Sequence, residues 1–261
     1  MKIPHQLLMD IKELYRQRND LLRPEGNLTR QLKSIFRRRA GTQHPTTGLS
    51  EGERKKVLAT IRKEADEMFA ALCKSDGETG NLLLTGAVAP LYQSWRNLRT
   101  ERLYAEKRLL GLAQQLPLHD FVVRTRGFGW LSLAQIVGET GDLNNYSGPA
   151  KIWKRMGLAV IDGEGQRRCK DKKKALEHGF CPRRRAVMSV IGVNLIMVGK
   201  NRYRELYLER KAFEATKIPD TEKSKKIHCH KRALKYMEKR LLVDLFNAWK
   251  AATGPELKQA A

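Results

Sequence analysis

Residues 126–143 read Arg126-Gly127-Phe128-Gly129-Trp130-Leu131-Ser132-Leu133-Ala134-Gln135-Ile136-Val137-Gly138-Glu139-Thr140-Gly141-Asp142-Leu143. Two glycines bracket one apolar residue, and an amphipathic run starts at once. Glycine adopts backbone conformations closed to other residues and lets the main chain approach a ligand closely. The spacing therefore predicts a tight turn that opens directly into a helix. The first N–H groups of that helix have no partner inside it and lie at the positive end of its dipole, where a phosphate is well placed. The rest of the chain sets the sign of the partner: 51 Lys+Arg stand against 28 Asp+Glu, a formal net charge of +23 in 261 residues. An excess on this scale implies a polyanion, nucleic acid first and an anionic membrane surface second.

Apolar residues make up 41% of the chain, enough for a real core, which excludes a disordered basic tail. The length suits one large domain or two modest ones. The N-terminus, Met1-Lys2-Ile3-Pro4-His5, leads into no long apolar segment, so no signal peptide is expected. The longest apolar run, Ala186 to Val198, is too short to span a bilayer and contains Ser189 and Asn194; it reads as a buried helix. Cys73, Cys169, Cys181 and Cys229 are scattered without a disulfide framework, as expected of reduced thiols. The expectation is a soluble, cytoplasmic protein without membrane association.

The fold class expected is mainly α: a helical hairpin or coiled-coil arm over 1–118, a compact helical domain over 119–252, and a flexible tail over 253–261. Helices are expected from Gln6 to Leu22 and from Leu28 to Arg39, ending at the Arg37-Arg38-Arg39 run and a loop through Pro45. Ser50-Glu51-Gly52-Glu53 fits a capping box ahead of Leu58, Ile61, Ala65, Met68 and Leu72. Leu84, Val88, Leu91, Trp95, Leu98, Ala105, Leu109, Leu112 and Leu116 then fall on alternating four- and three-residue steps, a seam of heptad type with Arg102 as its one charged interruption. The link over 75–81 is rich in turn formers, so an intrachain helical hairpin or a homodimer through the arm explains the seam equally well. Pro90 is expected to kink this pattern or to mark its start.

After the glycine turn, Ser147 is expected to cap a helix with Pro149 in its first turn, ending at Gly157. The stretch Asp162-Gly163-Glu164-Gly165 reads as a short hairpin or a disordered loop. Residues 151–185 hold 12 Lys+Arg and 4 Asp+Glu. Further helices are expected over Arg183–Lys200 and Lys231–Lys250. The second buries Leu234, Met237, Leu241, Leu245 and Phe246 or Trp249 on one face. Thr216 to Lys226 reads as an exposed loop.

The turn Arg126-Gly127-Phe128-Gly129 resembles the hairpin of a helix-hairpin-helix element, which grips the DNA backbone with little regard for sequence. Taken in order with Gly141-Asp142-Leu143, Gly157-Leu158-Ala159, the Arg run after Gly179, His230-Lys231-Arg232-Ala233-Leu234 and Lys239-Arg240-Leu241-Leu242, it looks like the C-terminal transposase domain of bacterial insertion sequences of the IS one-ten, one-sixteen or nine-oh-two class. Leu14-Tyr15-Arg16-Gln17-Arg18-Asn19-Asp20-Leu21 and Leu28-Thr29-Arg30-Gln31-Leu32-Lys33 are similar to the helical segment of that family. The resemblance covers about residues 8–250. It implies a DNA recombinase, in some members guided by a structured RNA, that joins an RNase H-like domain with a four-acid metal site to a serine nucleophile. It also implies a bacterial, nucleoid-associated location.

This chain departs from the pattern at both catalytic centres. No RNase H-like domain is expected ahead of these residues, and Asp10, Glu13 and Asp20 sit on helical text. The stretch Val160 to Gln166, where family members place the serine, contains none. No catalytic residue, metal or cofactor is therefore assigned. Cys169 lies among Arg167, Arg168 and Lys170, cations that lower a thiol pKa, but an incidental thiol is the simpler reading. Cys169, His178 and Cys181, with His228-Cys229-His230, lack the paired spacing of a zinc site. Ser132 and Ser189 are expected to pack, as is Trp130, although a Trp can also stack on a base. The expected nucleic-acid face comprises Arg126, Gly127, Phe128, Gly129, Lys151, Lys154, Arg155, Arg167, Arg168, Lys172, Lys173, Lys174, Arg183, Arg184 and Arg185. The expected partner is DNA, read through its backbone. Structured RNA and a separate RNase H-like chain that would complete an active recombinase are the alternatives.

Overall fold

The computed structural model describes residues 3–74, 86, 88–217, 219 and 225–254. It is mainly α. In order come α1 (His5–Gln43), α2 (Glu51–Lys74), α3 (Val88–Ala113), α4 (His119–Arg124), α5 (Trp130–Thr140), a 3-10 turn (Leu143–Asn145) and α6 (Pro149–Arg155). A two-residue ladder, β1 (Val160–Ile161) with β2 (Glu164–Gly165), leads to α7 (Lys172–His178), α8 (Pro182–Met197), α9 (Arg202–Lys217) and α10 (Lys225–Thr253). The chain forms two compact units: residues 17–105, and residues 1–16 with 106–261. Among the described residues no helix is long and apolar enough to cross a membrane.

In the 17–105 unit, Leu32, Phe36, Ala65, Leu72, Val88, Tyr92 and Trp95 form the core. The heptad seam of α3 is thus covered within the chain through Val88 and Trp95, and Trp95 donates its indole N–H to Thr29 Oγ1 at 2.9 Å. Leu84 and the link over 75–81 fall outside the described residues. Arg102 interrupts the seam because it pairs with Glu25 of α1: its Nη2 donates to Oε1 at 3.2 Å, and its Nε to Oε2. The capping box forms. Ser50 N–H donates to Glu53 Oε2 at 3.0 Å, and Glu53 N–H donates back to Ser50 Oγ at 3.4 Å. Pro90 sits in the first turn of α3, where its missing N–H costs nothing.

Two expectations are corrected. The two opening helices are one, α1, with Pro24 inside it. Its flanking turns are held by burial on both sides, Leu7 to Tyr15 in one core and Leu32 and Phe36 in the other, which outweighs the proline. Ser147 does not cap α6: Gly148 is the N-cap, with no side-chain bond, and Pro149 follows as the first helical residue. Helix α9, which carries Tyr203 and Tyr207 into the core, occupies text to which no helix was assigned. The loop expected over Thr216–Lys226 lies largely outside the described residues.

In the unit of residues 1–16 and 106–261, α10 packs against α9, α8, α6 and the 3-10 turn. Leu234, Met237, Leu241, Leu245, Phe246 and Trp249 are all buried along it, and Trp249 donates its indole N–H to Asp142 Oδ1 at 2.9 Å. Each such apolar side chain contributes about 1.5–3 kcal/mol on burial. Gly192 lets α8 approach α10: a Cβ there would meet Leu234 Cδ1 at 2.8 Å and Glu238 Oε1 at 3.0 Å. Asp162 and Gly163 take positive φ (49° and 76°) and close β1 and β2 into a tight hairpin, which decides the reading of that Gly-rich stretch.

Candidate nucleic-acid interface

The glycine turn joins α4 to α5, with Gly129 at the N-cap of α5 and Phe128 buried. Gly127 has φ +91°, and a Cβ there would lie 3.2 Å from Asn194 O and Leu195 Cα of α8, so this position both needs left-handed backbone and packs directly on a helix. Gly129 has nothing within 4 Å of where its Cβ would stand. The cavity beside the turn measures about 520 Å³, with Arg126 its one cation among apolar Val123, Met197 and Val198. Val123 and Met197 are 64% and 76% exposed.

Helices α5 and α8 run antiparallel. The start of α5 lies by Leu195 and Val198, and its end, at Glu139, lies by Arg183 and Arg184. Eleven residues of helix separate Arg184 from Leu195, about 16 Å at 1.5 Å each. The turn and the arginine run therefore stand at opposite ends of α8, not side by side.

At the arginine end, Glu139 is buried (4% exposed) and gathers donors from three elements. Arg183 Nε donates to its Oε1 and Arg184 Nε to its Oε2, both at 2.9 Å. Tyr15 of α1 donates its hydroxyl to Oε1 at 3.0 Å. Arg155 Nε donates to the Glu139 main-chain oxygen at 2.9 Å. Burial pushes the Glu139 carboxyl up, but Arg184, Tyr15 and Arg183 outweigh it and hold it below the ordinary glutamate range. Gly138 makes room for Tyr15: a Cβ would meet the ring and Cβ of Tyr15 at 2.5–2.7 Å.

The consequence is geometric. Each of the three guanidiniums commits its Nε edge to Glu139, and the Nη groups of Arg155 and Arg184 make no hydrogen bond to other described residues. Both line a cavity of about 580 Å³ with Lys151, Lys154, Tyr146 and Ser147. Burial pushes the Tyr146 phenol up, against the pull of Arg155 and Arg184, and its hydroxyl donates to Thr140 O at 3.0 Å. Four cations thus share one recess in which no carboxylate lines the wall.

The remaining expected residues divide. Arg185 points elsewhere: its Nη1 donates to buried Glu238 at 3.1 Å. Burial raises the Glu238 carboxyl to about 7 despite Arg185 and Lys235. Arg167 pairs with Glu164 at 2.7 Å, and Arg168 is exposed. Lys172, Lys173 and Lys174 open α7, where Asp171 caps by accepting from Lys174 N–H at 2.8 Å. Gly179, which ends α7, lines the recess, so along α7 the lysines stand about 7–10 Å from that residue. Gln166 ties this region together: its Nε2 donates to Lys154 O at 3.0 Å and to His178 O, and its Oε1 accepts from Ala159 N–H at 3.2 Å.

Sequence reasoning missed Glu139 and Gln166, the two side chains that organise the face. Glu139 ends an amphipathic helix, and its partners lie 44 and 45 residues away, so no local spacing reports them. Cys169 donates weakly to Arg167 O at 3.6 Å, and no three His, Cys, Asp or Glu among the described residues stand together to hold a metal ion. Comparison with protein-family models, curated proteins and solved structures finds no match to this chain.

Proposed function

We propose that this chain binds nucleic acid by its sugar–phosphate backbone, as a DNA-binding protein of transposase descent without a complete catalytic centre of its own. The observation that carries the reading is the recess in which Glu139 fixes Arg155 and Arg184 by Nε and leaves their Nη groups for a ligand. A guanidinium held in one orientation presents paired donors that match two phosphate oxygens, and its ordering cost is met before the ligand arrives. Lys151 and Lys154 add mobile charge at the same place, and the Arg167–Lys174 segment extends it. No base-reading helix is assigned, so recognition is of backbone and shape. The order of sequence motifs supports the transposase descent, and the missing serine between Val160 and Gln166 supports the absence of self-contained catalysis.

The test is a filter-binding titration of a duplex oligonucleotide over a range of salt. Contact with about six phosphates gives a slope of roughly −5 in log affinity against log salt. Lys151→Glu with Lys154→Glu, both exposed positions, should lessen that slope by about 2. A wild-type slope near zero, or an unchanged slope in the double variant, overturns the assignment. Competition by structured RNA at fixed salt decides which polyanion is preferred.

A further inference from the structure

The 17–105 unit holds a second basic recess, unconnected in sequence with the first. Ser34, Arg37, Arg38 and Gly41 stand three and four residues apart on α1 and so share one face. Arg62 of α2 and His44 and Thr46 of the connecting loop complete a cavity of about 400 Å³. His44 Nε2 lies 2.8 Å from Glu64 Oε1, which pins the loop to α2. No carboxylate lines the cavity. Its acidic neighbours are engaged: Glu64 holds His44, and Asp66 accepts Lys33 at 2.9 Å while also feeling Arg37. Arg38 and Arg62 have no ion-pair or hydrogen-bond partner among the described residues. Three guanidiniums around one recess repel each other in the free protein, and a bound anion relieves that repulsion while accepting their paired N–H groups.

We infer that this recess is a second phosphate-binding site that takes the nucleic-acid backbone on the helical arm. The inference extends the DNA-binding reading and rests on it. It makes Arg37 and Arg38 part of a binding surface and not simply the end of a helix. The seam of α3 is covered by the chain itself, so the arm need not serve only for dimerisation.

The experiment is arginine-specific modification with phenylglyoxal on the full chain, read residue by residue by mass spectrometry. The probes are a duplex oligonucleotide and, separately, inorganic pyrophosphate. The expected result is several-fold slower modification of Arg38 and Arg62 with the duplex, retained in the Lys151→Glu, Lys154→Glu variant. Slowing by pyrophosphate alone overturns the nucleic-acid assignment and leaves a small-anion site. Unchanged reactivity with both probes overturns the site altogether. Loss of protection in the double variant makes this recess dependent on the first and overturns an independent contact. Protection of Arg38 and Arg62 without protection of Arg155 and Arg184 upholds this inference while removing the first site from the proposed function.

Discussion

Arg184 donates its Nε–H to Oε2 of Glu139 at 2.9 Å, and that single bond turns a buried carboxylate into the anchor of a cationic recess. Glu139 is 4% exposed, while the Arg183 side chain on its other oxygen is 54% exposed and Arg184 19%. The arrangement grades from dry carboxylate to solvent-facing guanidinium across a few ångströms. A buried acid placed under arginines lowers local net charge, yet it fixes where the remaining charge points.

Glu139→Gln separates those two effects. The variant gains positive charge overall, so electrostatic attraction alone predicts tighter binding to a duplex. Preorganisation predicts the reverse, and weaker binding is the expected outcome, measured by the same salt titration. Stability should fall by about 2–3 kcal/mol, somewhat under the ~3–5 kcal/mol for removing one member of a fully buried pair, because Arg183 is half solvated. Glu139 is held below the ordinary glutamate range in the folded chain. Its contribution is therefore complete above the unfolded-state pKa and drains away as pH falls through the lower folded value. Urea melts of the variant should lose that acid-side dependence. Binding that tightens in Glu139→Gln would show that orientation of the arginines is immaterial.

The two glycines of the turn should respond differently. Gly127→Ala must place a Cβ at 3.2 Å from two main-chain atoms of α8 with φ at +91°, so it should lose about 1–3 kcal/mol. Gly129 has extended backbone, φ −92°, and open space, so Gly129→Ala should cost only about 0.5–1 kcal/mol, the loss of a favoured N-cap residue without steric strain. Its affinity for a duplex should match wild type, because the Glu139-anchored recess stands at the far end of α8. Circular-dichroism melts and filter binding check both. A marked affinity loss in Gly129→Ala would move the main contact back to the turn.

Much of the fold was legible because its signals are local. The Ser50–Glu53 capping box, Pro90 in the first turn of α3, Gly157 after α6 and the apolar face of α10 each rest on residues within one or two turns of each other. Helix α9 was not, since its face mixes Tyr203 and Tyr207 with Glu214, and Glu214 is buried only because Arg210 and Arg232 meet it. Ser147 misled because a Ser-Gly-Pro run offers two cap positions and the helix uses the second. At the site, the cations were visible as a cluster, but their arrangement was not. Spacing cannot tell that Arg184 enters the recess while Arg185, one residue on, turns to Glu238.

That divergence has its own pH signature. Glu238 is fully buried between α8 and α10, faced by Arg185, Lys235 and the backbone at Gly192. Burial raises its carboxyl to about 7 against the opposing pull of Arg185 and Lys235. An acid whose folded pKa exceeds the unfolded value stabilises the chain fully below the unfolded pKa, and that stability is lost as pH rises through about 7. The expected size is roughly 3 kcal/mol at 1.36 kcal/mol per unit. Thermal melts should therefore show lower stability at pH 8 than at pH 5.5, and Glu238→Gln should flatten the difference. The window lies above that of Glu139, so the two carboxylates are distinguishable in one pH series. Equal slopes in wild type and Glu238→Gln between those pH values would contradict the assignment.

The pair formed by Arg102 and Glu25 offers a test inside the arm. Their side chains are 13% and 10% exposed, and Arg99 reaches Glu25 Oε1 only at 3.7 Å from a half-solvated position. Replacing one member of such a pair leaves a desolvated charge, whereas replacing both with apolar residues of similar size restores ordinary packing. Arg102→Leu should therefore destabilise by about 2–3 kcal/mol, moderated by Arg99. It should do so even though it completes the apolar heptad seam. Glu25→Leu alone should cost about as much as Arg102→Leu, and the two together should lie within about 1 kcal/mol of wild type, giving a coupling of about 3–5 kcal/mol in a double-mutant cycle of urea melts. If Arg102→Leu alone stabilised the chain, the seam would be packing as an uninterrupted coiled coil and Glu25 would have found another cation. Additive single and double variants would remove the ion pair as the reason a charge stands in that seam.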